Sequence, residues 1–304
     1  MKISVAAVVV TYNRKTLLEK CLRAISGQTQ PPDRIIIIDN ASTDGTQEML
    51  ASGGWLIRNS VEIIQMSTNS GGAGGFSKGL DHAINTGADW AWMMDDDALP
   101  DSNALANLLN RELDANNIYA SIAVDGTKLS WPMVPEGGRD SAIYVAEQIA
   151  EELAVDLVPF IGILVSKEVV GRIGLPDSEF FLVADDVEYS YRARKSGAKV
   201  LLAGSSRIEH PASERYSGSL IYRRVDVLKL APWKRYYEVR NRLLLHKYYF
   251  SPRLGFSNYV GWLLRLTLTL WYEKERAKQF RAYVGGLIDG ILERKGQRHM
   301  KWGL

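Results

Sequence analysis

Four short apolar runs, each closed by polar or glycine-rich residues, recur through the first hundred residues of the 304-residue chain, with helix-like segments between them. Residues 3–10 are rich in β-branched side chains, as expected of a strand covered on both faces. Residues 15–25 carry Leu17, Leu18, Cys21, Leu22 and Ile25 at helical spacing. Arg34–Asp39 reads as a second strand, and Ser42 or Thr43 as the cap of a short helix with Asp44 in its first turn. Residues 61–66 read as a third strand, 75–85 as a helix and 90–94 as a fourth strand. This alternation predicts an α/β chain with a doubly wound, mostly parallel sheet. Ligands bind such sheets at the carboxyl ends of the strands. The residues to inspect are therefore Thr11, Tyr12, Asn13 and Arg14, then residues 39–42, then 69–76, then Asp95, Asp96 and Asp97.

Composition narrows the class. With 46% hydrophobic and 24% charged residues the chain is neither collagen-like nor largely disordered. Its length fits one large domain or two unequal ones. The single Cys21 excludes an internal disulfide and a Cys-based metal site, which fits a reducing compartment. The apolar N-terminal run ends in a polar turn without a small-residue cleavage site, so it reads as a buried strand and leaves no targeting segment. No stretch reaches the ~20 apolar residues that span a bilayer; the nearest, 259–272, is interrupted by Arg265.

Charge divides the chain. Residues 1–219 hold 19 Lys and Arg against 29 Asp and Glu, whereas residues 220–304 hold 18 against 6, with 15 of the 29 aromatics. The two parts are expected to do different work: a sheet-based domain over 1–219 and basic, aromatic helices over 220–304.

Three adjacent carboxylates repel one another and need a cation or a helix end to offset them. At a strand's carboxyl end, Asp95, Asp96 and Asp97 read as oxygen ligands for Mg2+ or Mn2+; the plainer alternative is a solvated loop, with Asp101 capping the next helix. The run containing Asn69, Gly72 and Gly74 enters a helix and could bring backbone N–H groups against a diphosphate. It fails the dinucleotide fingerprint and lacks the P-loop lysine, so a tight turn is an equal alternative. Asp185 and Asp186, with Glu188 nearby, form a second acidic cluster. Vicinal carboxylates raise each other's pKa, which suits a general base, while a helix N-terminus also favours Asp. His210 is a lone histidine, and His82, His246 and His299 receive no role. In the tail, Arg223, Arg224, Lys234, Arg235, Arg240 and Arg242 could form a phosphate footprint. The aromatics interleave at helical spacing, which favours a membrane surface over nucleic acid or a plain helical core.

Taken together, VVVTYNR, IDNASTDGT, NSGGAGGF, WMMDDD, FFLVADDVEY and YYEVRN resemble an inverting family 2 glycosyltransferase of the GT-A fold, with bacterial galactofuranosyl- and rhamnosyltransferases as the nearest branch. The resemblance covers about residues 3–245. It implies that Thr11, Tyr12, Arg14 and Asp39 hold the nucleoside of the donor. It implies that the Asp95-Asp96-Asp97 element binds Mn2+ or Mg2+ through Asp95 and Asp97, with Asp96 toward the donor diphosphate. It places the catalytic base on Asp186, with Asp185 against acceptor or donor sugar, and makes His210 the third metal ligand. Galactofuranosyl relatives carry a Trp before the acidic pair, where this chain has Ala184. Residues 112–158 match no motif, which leaves Trp131 and the acceptor contacts unassigned.

The expectation is thus a metal-dependent enzyme using UDP-galactofuranose or dTDP-rhamnose. Its acceptor would be a polyprenyl-diphosphate-linked glycan at the cytoplasmic face of a bacterial membrane, in synthesis of cell wall polysaccharide or lipopolysaccharide O antigen. A nucleotidyltransferase and a non-catalytic nucleotide-sugar-binding module are the alternatives; a nucleic-acid partner is not expected.

Overall fold

The computed structural model describes residues 3–58, 60–138, 142–220, 223–250 and 256–304, without the side chains of residues 220, 223, 224 and 256–259. The chain divides into two compact units. One is Met1–Ser178 with Asp186–Ala212; the other is Glu179–Asp185 with Ser213–Leu304.

The first unit opens with β1 (Val5–Thr11), α1 (Lys15–Ser26), β2 (Arg34–Asp39), α2 (Thr46–Ser52), β3 (Val61–Gln65), α3 (Gly71–Asn85) and β4 (Trp90–Asp95). It continues with β5 (Leu99–Pro100), α4 (Ala104–Leu109), β6 (Ile118–Asp125), β7 (Lys128–Met133), β8 (Ile143–Val145), β9 (Glu152–Ala154), β10 (Ile163–Ser166), α5 (Lys167–Ile173), α6 (Asp185–Lys195) and β11 (Val200–Glu209). Among the described residues eleven strands form one sheet, with the path β3-β2-β1-β4-β10-β6-β11-β5. β1 lies between β2 and β4 and is parallel to both, with Thr11 opposite Asp39 and Val10 opposite Asp95. β10 runs antiparallel between β4 and β6.

Alternation along β1 makes the sheet two-sided. Ala6, Val8 and Val10 pack with Phe76, Leu80 and Ala83 of α3, while Val5, Ala7 and Val9 pack with Leu18, Cys21, Leu22 and Ile25 of α1. A strand sandwiched in this way is apolar on both faces, as residues 5–10 are.

The structure departs from the expected elements at several points. α3 begins at Gly71, four residues before the expected start at residue 75. Its glycines bring the helix onto the sheet: a Cβ at Gly75 would run into Val10, and one at Gly79 into Val8. α2 is preceded by Gly45 with φ 88°, and neither Ser42 nor Thr43 caps it. Asp44 instead accepts hydrogen bonds from Lys15 N–H at 3.0 Å and the Thr46 hydroxyl at 2.6 Å, tying α1 to α2. α4 begins after Asn103 without a side-chain cap, so Asp101 does not serve as one. Residues 112–158 hold the short strands β6 to β9, and half-buried Trp131 packs against the cores on both faces of the sheet.

The second unit is not helical throughout. β12 (Arg215–Leu220) and β13 (Arg223–Leu228) form an antiparallel ribbon, followed by α7 (Pro232–Leu245), α8 (Phe256–Tyr272) and α9 (Arg276–Ile291). Val225 and Val227, two residues apart on β13, pack on Leu264 and Leu268 of α8, a period-two pattern hidden among charged neighbours. Arg235 and Arg240 of α7 are fully buried, which removes them from any phosphate footprint; the Arg223 and Arg224 side chains lie outside the described residues. No described helix is long and apolar enough to cross a membrane.

Candidate active site

The register of β1, β2 and β4 brings Thr11, Asp39 and Asp95 side by side at one edge of the sheet. Thr11 is buried, and its hydroxyl donates to Asp96 Oδ2 at 2.7 Å. Arg14, at the start of α1, reaches back with Nη1 3.3 Å from Asp96 Oδ1 and 2.7 Å from Asp97 Oδ2. Asp39 is fully buried and accepts from Ser42 N–H at 2.9 Å and from the Gln47 amide. Tyr12 is exposed.

His210 arrives from the far side of the sheet. β5, starting two residues after Asp97, pairs antiparallel with the end of β11, with Leu99 opposite Glu209. That pairing lays the residue after Glu209 against the aspartates, and His210 Nε2 stands 3.2 Å from Asp97 Oδ1. The His210 N–H donates to Val124 carbonyl at 2.8 Å, and its carbonyl accepts from the Ser130 hydroxyl. The ring is therefore anchored through its backbone.

The two carboxyl groups titrate apart. Burial drives Asp96 up to about 6, although Thr11 and Arg14 oppose it. Burial also acts against the Asp97 anion, but His210 and Arg14 together hold that group down at about 2. Burial lowers the His210 pKa, yet the net shift is upward because Asp97 and Asp95 favour the imidazolium.

The donor set fits a hard divalent cation. Asp97 contributes carboxylate oxygen and His210 an imidazole nitrogen, while His210 Nδ1 is buried with no hydrogen-bond partner among the described residues. Among those residues no three His, Cys, Asp or Glu side chains form a ready-made cluster. Asp95 ends β4, and its carbonyl accepts from the Cys21 thiol at 3.8 Å.

The glycine-rich segment lies beside β1 and β2. Asn69 Oδ1 accepts from Gly71 N–H at 2.8 Å, and Asn40 Nδ2 donates to Gly71 carbonyl at 2.9 Å. Gly72 is half-buried in the first turn of α3, and Gly74 is buried against Ser70, 2.5 Å from where a Cβ would sit. Asn13 and Asn40 lie in the strand-end loops that the sequence marks, but the sequence assigns their side chains no role there. Asn13 has φ 54°, receives Thr43 N–H at 2.7 Å and donates its own N–H to Ser42, joining two strand-end loops. Its signal was an Asn in a polar turn, where left-handed backbone is tolerated.

The acidic pair opens α6. Asp186 is half-buried and accepts from Val187 N–H at 2.7 Å, while burial pushes its carboxyl up to about 6 against that hydrogen bond. Asp185 is buried. Glu188 forms a two-pronged pair with Arg192 at 3.0 and 2.8 Å. The segment before the pair is a 3-10 turn at Ser178–Phe180 followed by Phe181, Val183 and Ala184 with φ of 64°, 66° and 65°. Each such non-glycine residue costs about 1–3 kcal/mol.

Residues 6–143 match the family model described as Glycosyl transferase family 2. Galactofuranosyltransferase GlfT1 of Mycobacterium tuberculosis is 32% identical over 253 residues, which are 79% of this chain and 81% of that protein. The dTDP-rhamnosyl transferase RfbF of Shigella flexneri is 25% identical over 299 residues, 96% of each chain. The structure of mannosyltransferase PcManGT from Pyrobaculum calidifontis, in complex with GDP-Man and Mn2+, superposes with a TM-score of 0.58 at 15% identity, covering 97% of this chain and 88% of that one. At that identity the likeness is one of fold, the GT-A fold.

Proposed function

The chain belongs to glycosyltransferase family 2, and from that premise we propose that it is a metal-dependent inverting enzyme. It transfers galactofuranose or rhamnose from UDP-galactofuranose or dTDP-rhamnose to a hydroxyl of a polyprenyl-diphosphate-linked glycan. The observation that carries this reading is the meeting of Asp97 with His210 beside Asp96, Thr11 and Arg14. The galactofuranosyl and rhamnosyl relatives support the choice of sugars, and family membership sets the nucleotidyltransferase alternative aside.

Asp95, Asp97 and His210 would hold Mn2+ or Mg2+, a choice supported by the Mn2+ in the mannosyltransferase structure. When bound, the cation supplies Lewis-acid neutralisation of the departing diphosphate. Asp96, fixed by Thr11, orients Arg14 at this edge. Exposed Tyr12 and Arg14 take the nucleoside, with buried Thr11 and Asp39 bracing that edge from within, and Asn69, Gly72 and Gly74 stand toward the diphosphate. Asp186 removes the proton of the acceptor hydroxyl as that oxygen attacks the anomeric carbon from the face opposite the leaving group. One displacement inverts configuration, so a single base suffices, unlike the two-carboxylate arrangement of glycosidases. Asp185 contacts acceptor or donor sugar.

On this reading residues 1–219 are the catalytic domain, and residues 220–304 associate with the inner face of the cytoplasmic membrane. Exposed Leu263, Trp271 and Phe280, with exposed Arg276 and Lys278, support that placement. The test is a panel of nucleotide sugars assayed with Mn2+ and lipid-linked acceptors for nucleoside diphosphate release. Release from UDP-galactofuranose or dTDP-rhamnose alone supports the proposal, and release only from other donors refutes the sugar assignment.

A further inference from the structure

Residues 179–184 lead into the acidic pair along a backbone that L-residues avoid. Phe181 is the centre of a γ-turn closed by Leu182 N–H on Phe180 carbonyl at 2.8 Å, and its positive φ makes this the rare, strained form. Val183 is β-branched, for which φ of 66° is an outlier. Such a conformation persists only where its surroundings over-determine it.

Two adjacent side chains of α7 do so. Asn241 Nδ2 lies 3.0, 2.9 and 2.7 Å from the carbonyls of Phe180, Leu182 and Val183. Arg240 donates through Nη2 to Glu179 and Phe180 carbonyls at 3.2 and 2.7 Å, and through Nη1 to Gly296 carbonyl at 2.6 Å. Its Nε–H donates to Asn241 Oδ1 at 2.8 Å, which fixes the amide with its nitrogen toward the loop. Gly296 N–H closes the clamp on Glu179 carbonyl at 2.8 Å. Phe181 stacks on Tyr237 with ring centroids 4.8 Å apart, and the Arg240 guanidinium lies 4.8 Å from the same tyrosine ring. Arg240 and Asn241 are both fully buried. Burying a guanidinium and a carboxamide against neutral carbonyls is costly unless every polar atom is matched. Here the matched oxygens belong largely to the strained loop.

We propose that Arg240 and Asn241 are positioning residues for the transfer: they hold residues 181–184 left-handed and so fix the backbone from which Asp185 and Asp186 project. The proposal rests on the reading of Asp186 as the base. A reacting group displaced by ~1 Å costs about a hundredfold in rate, so loosening the clamp acts on kcat more than on the binding of the nucleotide.

The experiment compares Asn241→Ala, Arg240→Lys, Asn241→Ala with Ala184→Gly, and Asp186→Asn in the full chain. The readouts are kcat, donor KM and amide hydrogen exchange over residues 180–186. Asn241→Ala should lower kcat by about 30-fold or more, leave donor KM within about twofold, and speed exchange at 181–185. Arg240→Lys should repeat the pattern, because an ammonium cannot replace the planar fork, and it serves if Asn241→Ala does not fold. Adding Ala184→Gly should recover at least about fivefold in kcat, since glycine takes positive φ without being held there. A folded clamp variant with wild-type kcat, a loss shared equally with nucleotide binding, or no recovery with glycine would overturn the proposal. Full turnover in Asp186→Asn would instead remove the base assignment, whereas a dead Asp186→Asn beside a wild-type Asn241→Ala removes the clamp alone.

Discussion

Asp97 Oδ1 stands 3.2 Å from His210 Nε2, although the two residues follow strands on opposite sides of β10 and β6. The short pairing of β5 with β11 makes the meeting possible, because it returns the chain from the aspartates directly onto the end of β11. The pairing sets a carboxylate and an imidazole together at the carboxyl edge of the sheet, residue types from which the proposed cation site would be built.

Thr11 is the internal support of this site. Its hydroxyl is buried on Asp96, a carboxylate that burial already pushes up to about 6. Thr11→Val keeps the shape and removes the donor. The variant should lose about 1–3 kcal/mol at neutral pH, measured by urea unfolding. An unchanged midpoint would mean that Asp96 does not depend on the threonine.

The glycines of α3 set the distance between helix and sheet. At Gly79 a methyl group would run into Val8 and come within 3.1 Å of Ile38. Gly79→Ala should destabilise the protein by about 1–3 kcal/mol through overpacking, despite alanine's better helix propensity. A rise in Tm would contradict this packing account.

As the proposed base, Asp186 must be ionised to take a proton, and burial pushes its carboxyl up to about 6. Above that value the anion predominates; below it the base is lost. Accordingly kcat should climb as pH rises through about 6 and then level off. Asp186→Asn should reduce transfer by about 10²–10⁴-fold while nucleotide affinity stays within a few-fold. A profile flat from about pH 5 to pH 8 would exclude Asp186 as the base.

The exposed apolar residues of α8 and α9 provide the test of membrane association. Trp271 is 76% exposed and Leu263 63%. Each contributes about 1.5–3 kcal/mol when buried, so Trp271→Ser with Leu263→Ser should weaken sedimentation with anionic vesicles at least about tenfold. Unchanged sedimentation would remove the membrane role of this face.

Much of the first unit was legible because its central strands are apolar and the strand ends at its carboxyl edge are polar. Residues 3–10, 34–39 and 90–94 announce themselves by β-branched and aromatic content, and Asp95, Asp96 and Asp97 by a mutual repulsion that something must offset, which Arg14 and His210 do in part. His210 was not visible from spacing, since its approach to Asp97 depends on a two-residue strand. The ribbon formed by β12 and β13 was hidden because charged residues mask its alternation. The left-handed run at Phe181, Val183 and Ala184 lay further out of reach: nothing in those side chains favours positive φ, and the residues that enforce it, Arg240 and Asn241, come from α7.

Whether the paired Asp97 and His210 work through a cation is decided by an Mn2+ titration of nucleoside diphosphate release after EDTA treatment, in the wild-type chain and in His210→Ala. The wild type should be silent without metal and recover fully on adding Mn2+, and His210→Ala should need about tenfold or more Mn2+ to reach half its rate. Turnover that survives EDTA, or an unshifted Mn2+ requirement in His210→Ala, would contradict the account.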